Sequence, residues 1–351
     1  MSTTHEREIT APVELCSADG RTLEPAARGW SRVPLHTANL RGAWGRNKRW
    51  DYWCVLSRDL AVAVTYADVD YIGLATVWWA DLAAGTSGGR EATIPFARGV
   101  SLPDRPGSAP LVYRGRKSSL DVVDDAGGTR ISASWIESDG RRGELDLRVD
   151  LPAGHESLNV VIPWSDRRFQ YTSKHQARPA RGVLTVGDRV RRIGTEEPEP
   201  AGAHAEAWGV LDVGRGRWPY RTRWNWAGGA GRTLDGGIVG LQLGGKWTAG
   251  TGYTENGILV DGRLTKIGAE LEWIYDWNHP LRPWRVRLPD GGLDVTLIPT
   301  FDRHSAVDAV LLSTEVHQVF GLWSGHVTSC DGRRHRFEGL VGFAEEARSR
   351  W

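Results

Sequence analysis

Asp212 and Glu255 are the residues of this sequence best placed to move a proton without help from a metal or a cofactor. A carboxyl group held in an apolar wall is penalised for ionising, so it keeps its proton to higher pH and can act as a general acid. Asp212 follows the run Trp208-Gly209-Val210-Leu211 and precedes the glycine-rich bend at 214–216. Glu255 precedes Asn256 at the mouth of an apolar run, Ile258-Leu259-Val260. Between Trp208 and Trp226 lie five aromatics, four arginines, an aspartate and an asparagine within nineteen residues. Aromatic walls with a few convergent polar groups describe a pocket for a small molecule. The plainer alternative is arginine stacking on tryptophan at a solvated surface. The carboxylates would be structural instead of catalytic if Arg217, Arg221 or Arg223 neutralised them.

Two further clusters extend the candidate pocket. In 45–53 (GRNKRWDYW), a strand points Trp50 and Tyr52 to one face and Asp51 and Trp53 to the other. The second is 317–325 (HQVFGLWSG), which offers His317 and Trp323. The candidate ligand-binding set is therefore Trp50, Tyr52, Trp208, Arg217, Tyr220, Trp224, Asn225, Trp226, Asn256, His317 and Trp323. Each has a structural alternative: aromatics that plug a barrel end, a turn at Glu255-Asn256 that satisfies its own backbone, a histidine bonded in a core.

Other motifs carry less. Gly85-Thr86-Ser87-Gly88-Gly89 matches GxSxG in letters only. A nucleophile elbow needs a strand before the serine and a helix after it, and here a glycine-rich loop is expected. Gly228-Gly229-Ala230-Gly231 lacks the following Lys and the βαβ setting of a phosphate loop. The ten histidines show no HExxH and no close carboxylate pairing, so no metal is expected. Three cysteines without CxxC spacing argue against a disulfide framework. With 44 Lys and Arg against 43 Asp and Glu, nothing points to nucleic acid. No stretch approaches 18 uncharged apolar residues, no transmembrane segment is expected, and a cytoplasmic location is the default.

The elements that must position these residues are strands. Leu145, Leu147, Val149 and Leu151 alternate with charged neighbours, and Leu60, Val62, Val64 and Tyr66 repeat the pattern. The run 72–79 (IGLATVWW) is apolar on both faces. Turn pairs at Asp139-Gly140, Gly187-Asp188, Asp261-Gly262 and Asp331-Gly332, and the longer 289–292, each separate two strand-like runs. Helix-like runs are short, at 81–84 and 343–350. The stretch 196–207 (EEPEPAGAHAEA) reads as a surface connection. The 18 tryptophans exceed what folding alone requires and leave room for an aromatic-lined cavity.

Five segments in order, 29–35 (GWSRVPL), 45–53, 214–227 (GRGRWPYRTRWNWA), 253–262 (YTENGILVDG) and 317–325, resemble a bacterial domain-of-unknown-function family, DUF2804. More distantly the chain is similar to the group containing hydroxyneurosporene synthase and tocopherol cyclase, through Gly182–Asp188, Trp208–Asp212 and Trp224–Trp226. That resemblance implies two lipocalin-like β-barrels and a Trp-lined cavity, and transfers no catalytic residue. The expectation is an all-β protein of two packed barrel halves, about 1–200 and 201–351, with a barrel able to hold one small ligand. Two functions fit: cofactor-free cyclisation, isomerisation or hydration of an isoprenoid- or polyketide-like molecule, with Asp212 or Glu255 as the acid, or a carrier using the same cavity without chemistry. The expected partner is thus a hydrophobic small molecule; the sequence leaves the oligomeric state open.

Overall fold

Period-two alternation and hairpin turns produce strands almost throughout the computed structural model, which describes residues 4–194, 206–308 and 313–350. Most of the connection expected at 196–207 lies outside the described residues. The protein is all-β, with two large antiparallel sheets, each curled around its own core into a half-barrel. The first sheet runs Thr86–Pro95, Ile72–Asp81, Leu60–Asp68, Asn47–Leu56, Trp208–Arg217, Phe169–Val186, Arg142–Asp150, Gly128–Ile136, Ser118–Asp125, Leu111–Arg114. The second runs Arg263–Ile267, Asn256–Val260, Ile238–Gly245, Arg221–Arg232, Arg334–Arg350, Ser313–Thr328, Leu293–Asp308, Trp284–Arg287, Glu272–Ile274. Sheet membership changes between Arg217 and Arg221. The strand Trp208–Arg217, counted above with the second half, pairs inside the first sheet with Asn47–Leu56 and Phe169–Val186. No helix among the described residues is long and apolar enough to cross a membrane.

All five expected turns join antiparallel neighbours. At Asp261-Gly262 both residues have positive φ, 48° and 78°, the backbone that a two-residue hairpin requires. Two helix readings are corrected. Residues 343–350 form the end of the strand Arg334–Arg350, which is paired on both sides. Helix formers such as Ala344, Glu345 and Ala347 follow the sheet because neighbouring strands satisfy their backbone and bury their side chains, which outweighs local propensity. Residues 81–84 end a strand and enter a turn. Ser87 also lies in a strand, Thr86–Pro95, followed by no helix.

Alternation decides which side of each sheet is core. In the first sheet Trp53, Val62, Val64, Tyr66, Ile131 and Trp135 fill the inside of the curl. In the second, Leu241, Leu243, Trp284, Val295, Val319 and Trp323 do the same. Side chains of the two cores fill the curls, and the Trp-lined cavity found among the described residues is in another place. It lies where the sheets meet back to back. On the rear of the first sheet Cys54, Leu56, Ala61 and Ala63 present a low surface, against which Trp226, Phe320 and Phe343 of the second sheet pack. Trp78 stacks on Phe320 with ring centroids 5.4 Å apart. The run 72–79 is apolar on both faces because one side meets the barrel core and the other this seam.

Glycines make room for the large indoles. A Cβ at Gly342 would come within 2.5 Å of the Trp323 ring, and one at Gly229 within 2.8 Å. The Gly228–Gly231 run therefore serves packing: Trp323 lies across it and donates its Nε1–H to the Gly228 carbonyl at 3.1 Å.

Candidate functional site

Between the backs of the two sheets is a cavity of about 370 Å³. The first sheet contributes Trp50 and Tyr52, Thr65 and Ala67, Leu74, the alternate residues Gln170, Thr172 and Lys174, and Asp212. The second contributes Trp224 and Trp226, Arg303 and Ser305, Val316 and Gln318, and Glu345; Trp218, Trp247 and Glu255 come from connections. Every strand that supplies two of these supplies them at positions i and i+2, as residues on one face must be. Gly214 sits opposite Trp50 in the register, and the indole lies across it, since a Cβ there would fall 2.1 Å from the ring.

One wall is an aromatic cluster. Trp218 stacks on Trp247 at 5.1 Å, meets Trp224 at 5.6 Å and Trp50 at 5.9 Å, each pair at an angle that aromatic quadrupoles favour. Indole N–H groups are directed to acceptors: Trp218 donates to Gln170 Oε1 at 2.7 Å and Trp226 to Gln242 Oε1 at 3.1 Å.

The polar part of the wall contains two arrangements of carboxylates. In the first, Lys174 Nζ lies 2.8 Å from Asp212 Oδ1 and 3.1 Å from Glu255 Oε1. All three are buried. Trp50 donates its Nε1–H to Asp212 Oδ2 at 3.1 Å, Thr172 donates to Oδ1 at 3.4 Å, and the ammonium sits 4.1 Å over the Trp226 ring. Burial opposes the charge of Lys174, but Asp212 and Glu255 together hold its proton more tightly than in an ordinary lysine. Burial raises the Glu255 carboxyl against the pull of Lys174. The two expected acids are thus joined through a lysine, and none of the expected arginines takes part. Arg217 gives its guanidinium to the carbonyls of Gly20, Arg21 and Arg41 and to Asn47. Arg223 binds Glu346.

The second arrangement is Glu345. It is buried, accepts the Trp224 Nε1–H at 2.9 Å and the Gln318 Nε2–H at 3.0 Å, and has no ion-pair partner among the described residues. The Tyr52 hydroxyl is 3.4 Å from the same Gln318 nitrogen. Burial pushes the Glu345 carboxyl up to about 7, with the hydrogen bond from Trp224 the largest opposing influence. Its chain neighbour shows the opposite outcome. Glu346 points to the other face of the strand, where Arg223, Lys246 and Arg348 surround it within 2.7 Å. Burial works against ionisation there too, but those donors hold its carboxyl below the usual range.

Of the residues singled out from sequence, Trp50, Tyr52, Asp212, Trp224, Trp226 and Glu255 line this cavity together. The rest lie elsewhere. Trp208 is on the same face as Asp212 but further along, packed against Ala177 and Ala230. Trp323 is inside the second core, and Tyr220 is exposed. Asn225 faces away from its tryptophan neighbours and donates to the Tyr275 hydroxyl at 3.0 Å and the Glu345 carbonyl at 3.1 Å. Asn256 accepts from the Gly244 N–H at 2.7 Å and donates to the Ala269 carbonyl at 3.0 Å, so in the Glu255-Asn256 pair the amide serves the backbone and the carboxylate the cavity. His317 faces away from the cavity, on the side of its strand that carries Val319 and Trp323 of the second core, and it is Gln318 that reaches the cavity.

Lys174, Gln318, Arg303 and Glu345 were missed. The alternation of 170, 172 and 174 was available as a signal for Lys174, and Phe343, Glu345 and Ala347 form a similar set once 343–350 is taken as a strand.

Comparison with solved structures finds kievitone hydratase from Nectria haematococca at 10% identity and a TM-score of 0.46, over 87% of this chain and 89% of that one. An AttH-like protein from Nitrosomonas europaea matches at 12% identity and a TM-score of 0.42, over 86% of this chain and 92% of that one. Comparison with curated proteins finds no match. The family model for "Domain of unknown function (DUF2804)" matches residues 6–351, and the chain belongs to that family.

Proposed function

We propose that the cavity binds one hydrophobic small molecule and that Glu345 is a general acid acting on it, in a cyclisation, isomerisation or hydration that needs no cofactor. The observation that carries this reading is a buried carboxyl, raised to about 7 and without a cation partner among the described residues, in the wall of a cavity lined by five tryptophans. An acid with a pKa near the working pH combines a large protonated fraction with a useful driving force for transfer. In the proposed reaction the Glu345 proton adds to a carbon–carbon double bond and leaves a carbocation beside the indole walls. An internal double bond or a water then closes on that centre, or a neighbouring C–H loses its proton. In each case the proton released at the end returns to the Glu345 carboxylate, so the site is regenerated. Tyr52 and Gln318 position the carboxyl, and Arg303 offers a guanidinium to a polar substituent of the substrate. Its stacking 4.3 Å over the Trp78 ring holds it at the wall.

The carrier reading is favoured by one observation: Lys174 engages both Asp212 and Glu255, the two carboxylates first expected to transfer a proton. Both readings require an occupied cavity. Native mass spectrometry of protein purified from its own host is expected to reveal one small hydrophobic molecule per chain. Thr65→Trp, which fills the cavity from its wall, should abolish that mass excess. An empty wild-type protein, or a molecule retained equally by Thr65→Trp, would overturn the assignment of the cavity as a binding site.

A further inference from the structure

On its face turned away from the cavity, continuous with Val319 and Trp323 of the second core, the cavity wall carries a second cluster of functional side chains. In the strand pair Leu293–Asp308 and Ser313–Thr328, His304 is directly opposite His317, and Ala306 is opposite Glu315. Alternation then places Asp302, His304, Glu315 and His317 on one face, while Arg303, Ser305, Val316 and Gln318 line the cavity on the other. One donor atom from each of His304, Glu315 and His317 lies within 4.8 Å of the others. The imidazoles stack 4.3 Å apart and nearly parallel, at 9°. His304 Nε2 is 3.2 Å from Glu315 Oε1.

We propose that His304, Glu315 and His317 form a binding site for a divalent transition metal of the zinc type, clamping the two strands that build this wall. Two imidazole nitrogens and one carboxylate oxygen are a ligand set that such an ion takes, with water in the fourth position. Ligand bonds of about 2.0–2.2 Å place donors of a tetrahedral ion roughly 3.3–3.6 Å apart. The three side chains reach that spacing by small rotations, because His304 and Glu315 are about half exposed. The support behind the ligands is already built. His317 Nδ1 is 2.8 Å from Asp302 Oδ2 in a half-buried contact, which leaves Nε2 for the ion. A carboxylate on the far nitrogen is the usual device for fixing the tautomer and ring orientation of a metal-binding histidine. The other Asp302 oxygen is buried with no hydrogen-bond partner, so its charge is not spent elsewhere. Trp277 packs edge-on against the His317 ring at 4.6 Å. The nearby guanidinium of Arg348, 3.7 Å over Trp277, is paired with Glu346 at 2.6 Å, which limits its repulsion of an ion. No motif announces this site, because its histidines are thirteen residues apart and meet only through the strand register.

The test is calorimetric titration of the chelator-treated full chain with Zn²⁺ alone, in a Cys330→Ser background that removes the exposed thiol. One Zn²⁺ per chain is expected, with a rise in melting temperature on saturation. His304→Ala and His317→Ala should each weaken binding at least 100-fold and abolish the thermal shift. Asp302→Asn should weaken it roughly 10–100-fold by freeing the His317 ring. His326→Ala, whose ring bonds the Gly291 carbonyl, should bind as the parent does. Binding absent in the parent, or undiminished in the His304→Ala/His317→Ala double variant, would overturn the site. The double variant is a fair control if its melting temperature without metal matches the parent's, and His304→Gln/His317→Gln replaces it if not.

Discussion

Lys174→Met is expected to destabilise the protein by about 3–5 kcal/mol at pH 8, the range for stranding a buried charge by removing its partner. Methionine matches the lysine stem in length and shape, so packing is largely kept and the loss reports the charge. Without the ammonium, Asp212 and Glu255 face each other across the space that Lys174 Nζ bridges at 2.8 and 3.1 Å. Neither can turn to solvent, since both are buried. The sign with pH follows. Burial already raises the Glu255 carboxyl against the pull of Lys174, and without the ammonium the folded chain holds that proton more tightly still, so the deficit should shrink as pH falls towards 5. Adding Asp212→Asn and Glu255→Gln to Lys174→Met should restore most of the stability at pH 8, because a neutral trio needs no cation. Urea unfolding at pH 5 and pH 8 measures both effects. A loss below about 1 kcal/mol at pH 8 would show that solvent reaches the trio and that it is not the buried charge pair described.

Glu345→Gln should leave stability unchanged near pH 4 and raise it above pH 8. Burial lifts the Glu345 carboxyl from its ordinary 4.5 to about 7, so the folded protein holds this proton more tightly than the unfolded chain does. For a group shifted in this direction, stability is highest below the unfolded pKa and is lost as pH rises through the folded one. Between pH 4.5 and 7 the wild type therefore loses roughly 3 kcal/mol that the amide variant keeps, at about 1.4 kcal/mol per pKa unit. Glutamine retains the shape of the protonated acid and the acceptor for Trp224, and the Gln318 amide can rotate to match. Unfolding curves for the two proteins between pH 4 and 9 should diverge only in that window. Parallel curves would mean that Glu345 ionises as an ordinary glutamate.

Alternation and turn chemistry carried the fold because this chain is built of hairpins. At 139–140 and 261–262 the turn pair, the flanking alternation and the final register agree. The site was harder to read, for three physical reasons. In 317–325 the sequence draws attention to His317, but a shift of one residue exchanges the faces of a strand, and Gln318 is the one at the cavity. In 343–350 the residues FAEEAR prefer a helix in isolation, which hid Glu345 within a central strand. The partner of Asp212 and Glu255 could not be found from local charge, because the dense arginines at 215–223 bind backbone carbonyls or other carboxylates, while Lys174 arrives from a strand pairing nearly forty residues away. Aromatic density named the right region because seam and cavity are both lined with indoles, but it could not separate Trp224 and Trp226 at the cavity from Trp208 and Trp323 in packing.

The molecule recovered from the native protein gives the most direct test of the proposed chemistry. It should be incubated with ligand-free wild type and with Glu345→Gln, and the products separated by liquid chromatography and mass spectrometry. The wild type is expected to convert it, or to form it from the converted product, with a gain or loss of one water for hydration or with unchanged mass and altered retention for cyclisation or isomerisation. The rate should fall as pH rises through about 7, where Glu345 loses its proton. Glu345→Gln should bind the molecule as tightly and turn it over at least about a hundredfold more slowly, the usual contribution of a general acid. Recovery of the molecule unchanged from the wild type in both directions, or equal conversion by Glu345→Gln, would contradict the account and leave the cavity to a carrier.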